Sequence, residues 1–179
     1  MQGIDRLLAE LTEWSADQRA DDAADARARG RSLRSQLEES ATLAGTLVDL
    51  TEAGGALSVQ TTRGRVHRGL LAGVGADFLA VRSDDGALVV IALHAVVAVR
   101  PGTGNGAATG ARSAGRGTLV QFLARCAEEH PRVRLVAAGE PVAGELVAVG
   151  ADVLSVRSDA DPPGVSYVPA ASVSEVSLG

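Results

Sequence analysis

Lysine is absent from this 179-residue chain: all 17 basic residues are arginines. Alongside abundant Ala, Gly and Val, this points to a GC-rich bacterial genome, so coding bias accounts for much of the arginine choice. Cysteine is almost absent too. Cys126 alone excludes an internal disulfide and any Cys-based zinc site. Aromatic residues are only Trp14, Phe78, Phe122 and Tyr167. The core must therefore be aliphatic, and a protein that stacks many bases on aromatic rings is disfavoured. No long apolar run occurs. The longest, Ala87–Val99, has 13 residues and contains His94, short of the roughly 20 that cross a bilayer as a helix. The start MQGIDRLLAE has no basic-then-apolar signal pattern. The expectation is a cytoplasmic protein that does not enter a membrane.

Apolar residues make up 46% of the chain, enough for the core of one or two small domains. Formal net charge is −5, which disfavours a general nucleic-acid binder. The charge is uneven. Residues 1–56 hold 11 acids and 6 arginines, 57–117 hold 3 and 7, and 118–179 hold 8 and 4.

An internal repeat dominates the sequence. Residues 64–84 read GRVHRGLLAGVGADFLAVRSD and residues 139–159 read GEPVAGELVAVGADVLSVRSD. They align without a gap at an offset of 75, with 12 of 21 positions identical. So long a period means two small domains rather than a solenoid. In the first copy, Leu57, Val59 and Thr61 alternate as a strand. Val66–Leu71 is a second strand, bent at Gly69. Phe78–Arg82 is a third, and Asp85-Gly86 signals a tight hairpin. Val89–Ala92 follows, then a corner at Leu93-His94-Ala95, then Val96–Arg100. The second copy runs in parallel from Val133, with Asp161-Pro162-Pro163-Gly164 lengthening its third hairpin.

Ahead of the repeats, Ile4, Leu7, Leu8, Leu11 and Trp14 keep helical spacing. A second stripe runs through Leu33, Leu37, Ala44, Leu47 and Val48. Thr118–Glu129 is amphipathic and ends before Pro131, so a helix leads each repeat. Residues 101–117, rich in Gly, Ala, Ser and Thr, form a flexible tether. Gly102, Gly104, Gly106 and Gly110 mimic a phosphate loop, but no helix starts directly after them to hold the anion. The expected division is a helical arm at 1–40, a first barrel at 41–100, a linker at 101–117 and a second barrel at 118–179.

A helix followed by five short bent strands resembles the Sm-like family. Gly64, Gly69 and Leu71 match the spacing of the first Sm motif, and Leu93-His94-Ala95-Val96 is similar to the second Sm motif of the Hfq type. The resemblance implies an α+β fold: two tandem five-stranded Sm-like barrels, small and strongly bent, each preceded by a helix, plus the N-terminal arm. Sm-like proteins pair open strand edges into rings, so a protein partner or self-association is expected. The family's RNA contacts carry over poorly. Gly75 stands where an Asp is usual, no Asn follows it, Leu93 replaces the Hfq lysine, and the second copy reads Pro169-Ala170-Ala171-Ser172 at the corner.

The candidate RNA- or partner-binding residues are Arg63, Arg65, His67, Arg68 and His94. Four cluster around one hairpin, where arginines suit phosphates, and the tether adds Arg112 and Arg116. Solvated charge on a sheet edge explains such a cluster better, since the second copy has none from Gly139 to Gly144. Asp77 and Asp152 suit turns. His67, His94 and His130 lack metal-ligand spacing, and no Ser or Cys sits in a nucleophile elbow. No cofactor and no metal is expected, and the chain reads as no enzyme. The sequence points to a scaffold or regulatory adaptor working through protein contacts, the alternative being an Sm-like RNA-binding protein that uses the first barrel.

Overall fold

The computed structural model describes residues 27, 29, 30, 32, 35, 36, 39–102, 110, 112–158 and 163–179. It divides between Ser40 and Ala41 into two units, each taken by itself. In the first, the described residues up to Glu39 have helical backbone. The stripe from Ile4 to Trp14, and Leu33 and Leu37, lie outside the described residues.

In the second unit, helix α1 (Leu43–Ala53) starts at Thr42, whose hydroxyl accepts the Gly45 amide, and stops at Gly54 in the left-handed conformation. Strands β1 (Ala56–Thr61), β2 (Val66–Val74), β3 (Phe78–Ser83) and β4 (Leu88–Ala92) follow. A 3-10 turn at Leu93–Ala95 leads into β5 (Val96–Pro101). The set then repeats. Helix α2 (Leu119–Cys126) opens with a Thr118/Gln121 capping box. Strands β6 (Arg132–Ala137), β7 (Glu140–Val149), β8 (Val153–Ser158) and β9 (Val165–Pro169) come next, then a turn at Ala170–Ser172 and β10 (Val173–Leu178).

The ten strands form one antiparallel sheet in the order β5-β1-β2-β3-β4-β10-β6-β7-β8-β9. This corrects the expectation of two tandem five-stranded barrels, each preceded by a helix, behind a helical arm. The reason lies in β3 and β4. Leu79, Val81, Val89 and Ile91 point into a core with Leu47, Leu50, Leu57, Val59 and Leu71. Their neighbours Phe78, Ala80, Val90 and Ala92 point the other way, into a core with α2 and the second-repeat strands. A strand buried on both faces reads as an unbroken apolar run, which is how the Leu88–Ala92 part of the Ala87–Val99 stretch should be read. The β4 edge is closed by β10, with Ile91 opposite Glu175 and Val90 opposite Val176. A separate first barrel would leave Val90, now fully buried, in water.

Linker residues 103–109 and 111 lie outside the described residues. The described remainder is tied down: Asp49 accepts the Gly110 amide at 2.9 Å, Arg112 pairs with Asp49 and Glu52, and the Gly117 carbonyl accepts from Ala76. Asp77 does more than shape its turn. Its Oδ1 accepts the Leu119 amide at 2.7 Å, so a first-repeat carboxylate sits at the start of a second-repeat helix, where the dipole favours it.

Candidate functional site

Polar chemistry gathers along the seam between the repeats. Glu175, on β10, has a side chain only 3% exposed. Thr61, at the end of β1, donates its hydroxyl to Oε1 at 2.9 Å. His67 Nε2, on β2, lies 2.8 Å from Oε2 and is the donor whenever the carboxylate is ionised. Arg65 Nη1 lies 3.5 Å from the same oxygen. A buried carboxylate survives only with partners of this kind, and all three come from the first repeat. Their counterparts in the second repeat, at the offset of 75, are Val136, Val142 and Glu140, so the cluster belongs to this seam and not to each repeat.

The five residues singled out from sequence are thereby scattered over distinct tasks. Arg63 crosses the seam to donate to the Ala138 carbonyl at 2.7 Å. Arg65 and His67 hold Glu175. Arg68 is exposed and lines a cleft on the seam. His94 sits apart, exposed, beside a small hollow shared with Asp77 and Asp152. Arg65, His67 and Arg68 line the seam cleft together, whereas Arg63 and His94 are not among its lining residues.

Sequence reasoning missed two arginines. Arg132 and Arg134 alternate along β6, so both leave the same face while Val133 between them is buried. They line the same cleft as Arg65 and Arg68. The alternation arginine-valine-arginine was visible; its approach to a hairpin some 65 residues earlier was not. Asp85 also borders the cleft. The Ser83 hydroxyl and the Ala87 amide hold its carboxyl below the usual range.

Among the described residues no group of three or more His, Cys, Asp or Glu is placed to hold a metal. No helix among them is long and apolar enough to cross a membrane. Burial, and then Glu129, pushes the Cys126 thiol above its usual range, the opposite of what a nucleophile needs. Cys126 is therefore expected to react with iodoacetamide several-fold more slowly than an unstructured thiol at neutral pH, and equal rates in a timed mass-spectrometric assay would contradict this.

A family model described as a domain of unknown function (DUF2642) matches residues 43–101, which run from α1 to the end of β5. That first repeat is similar to the family. No curated protein and no solved structure matches the chain.

Proposed function

We propose that this protein is a non-enzymatic scaffold or adaptor of the cytoplasm that works through protein contacts, its first partner being another copy of itself. Among the described residues the sheet has two open edges, β5 and β9. They are the repeat equivalents of β10 and β4, which already pair inside the chain. Aligning the strands on the 3-10 turns puts Val97 at the place of Ser174 and Tyr167 at the place of Val90. Tyr167 is 73% exposed and Val97 59%, whereas Val90 is fully buried. An apolar edge left open invites another strand.

Transferring the internal register sets Val99 of one copy opposite Tyr167 of the next, flanked by Ala98 opposite Val168 and Arg100 opposite Ser166. Pro101, which lacks an amide hydrogen, ends that ladder. Such head-to-tail pairing is heterologous, so it closes into a ring or continues as a filament according to its rotation. RNA binding through the first repeat has less support, because Arg63 and His67 are engaged with the second repeat.

Sedimentation of the full chain at micromolar concentration tests the proposal. A mass that is a multiple of the single chain is expected, falling to one chain in Tyr167→Lys and in Val97→Lys, which place charge on the two edges without touching the core. A wild type that sediments as one chain, or variants that keep the assembled mass, would overturn it.

A further inference from the structure

The cleft on the seam, about 560 Å³ in volume, lies apart from the two open edges and calls for its own account. We infer that it binds the phosphate groups of a polyanionic ligand. Four arginines, Arg65, Arg68, Arg132 and Arg134, line it, two from each repeat. All four are exposed. They concentrate positive charge at one place in a protein of net charge −5, and such focusing raises the local concentration of an anion. Guanidinium groups present N–H forks that match phosphate oxygens in pairs.

The form of the cleft narrows the ligand. Its volume is that of a small-molecule site, large enough for several linked phosphates. No Phe, Tyr or Trp is among its lining residues and the His67 ring nitrogen is turned to Glu175, so recognition rests mainly on the phosphates themselves. The β6 arginines are held in fixed relation: β6 pairs with β10 through Arg134 opposite Ser177, and with β7 through Arg132 opposite Glu145. Arg65 is steadied from beneath by Glu175. Asp85 opposes an incoming anion, but Ser83 and Ala87 tie its carboxylate into its own turn.

Linked phosphates come from two sources, a free polyphosphate or a nucleic-acid backbone, and the test separates them. Inorganic tripolyphosphate, a short and a long uridine strand, and an oligoglutamate peptide are titrated against the full chain at low and moderate salt. Tripolyphosphate is expected to bind, weakening steeply with salt. Arg68→Ala, Arg132→Ala and Arg134→Ala should each weaken it by about five-fold or more, with a shallower salt slope, as loss of one charge-assisted contact implies. Asp85→Asn should tighten it. Arg116→Ala, exposed and outside the cleft lining, should change nothing. These exposed arginines can be removed without opening a core, and unchanged melting temperatures verify that. Affinity that grows with strand length identifies a nucleic-acid backbone as the source; a strand bound no better than tripolyphosphate identifies a free polyphosphate. Absent binding, binding equal in all four arginine variants, or tighter binding of oligoglutamate than of tripolyphosphate would overturn the inference.

Discussion

Replacing Gly69 by alanine is expected to lower the unfolding free energy by about 3 kcal/mol or more, near the upper end for single substitutions. Gly69 lies on β2 with φ +154°, a backbone shape that side chains rarely adopt. A Cβ there would lie 2.0 Å from the Arg82 carbonyl oxygen on β3. Neither atom can yield without breaking the β2–β3 ladder, in which Gly69 faces Ser83. The second repeat contains the same device: Gly144 has φ +158°, and its Cβ would lie 2.0 Å from the Arg157 oxygen. Gly144→Ala should cost a similar amount. Both strands bend here, and each carries a register shift shortly after, between Leu71 and Gly73 and between Leu146 and Ala148. Gly73→Ala is the control, since nothing lies near its Cβ position and its φ is not positive. It should stay within about 0.5 kcal/mol of wild type. Urea denaturation of the three variants decides the matter. A Gly69→Ala curve that overlays the Gly73→Ala curve would refute the close-approach account.

Removing Glu175 is the second large effect expected. Glu175→Ala should destabilise by about 3 kcal/mol, because it strips partners from the Thr61 hydroxyl and the His67 ring and leaves a void where a side chain filled the seam. Glu175→Gln should cost much less. Its oxygen still accepts from Thr61, and its amide can donate to His67 in the other tautomer. The geometry also predicts coupling. In a double-mutant cycle, Glu175→Ala with His67→Ala should be less harmful than the sum of the two by about 1 kcal/mol or more. Strict additivity in thermal or urea melts would mean that the 2.8 Å contact contributes nothing. Because the acid and its three partners belong to different repeats, the same melts report how firmly the two halves are joined.

Much was legible in the chain alone. The gapless repeat, the bend glycines, the Asp85-Gly86 hairpin and the corner at Leu93–Ala95 are local features, set by backbone sterics and by alternation with a period of two. They place β1 to β5 and their counterparts within a residue or two, apart from the longer β2 and β7. Leu71, Leu79 and Val81 match Leu146, Leu154 and Val156, and all six are buried. What a local pattern cannot say is which edge meets which. The pairing of β4 with β10 joins residues far apart in sequence, and it turned two expected barrels into one sheet. The clue was the unbroken apolar stretch of β4, which looks alike whether a strand has one covered face or two until its neighbour is known. The arginines followed the same logic. Their number and sign were plain, but whether an arginine answers a buried carboxylate, a carbonyl or an open cleft depends on what lies opposite across the seam. Arg63 and His67 became internal partners because Ala138 and Glu175 arrive there, while Arg65, beside Glu175, also lines one cleft with Arg68, Arg132 and Arg134. Sequence determined the strands and their bends, since those depend on neighbours along the chain; tertiary structure alone decided the seam, since burial and charge pairing depend on neighbours in space.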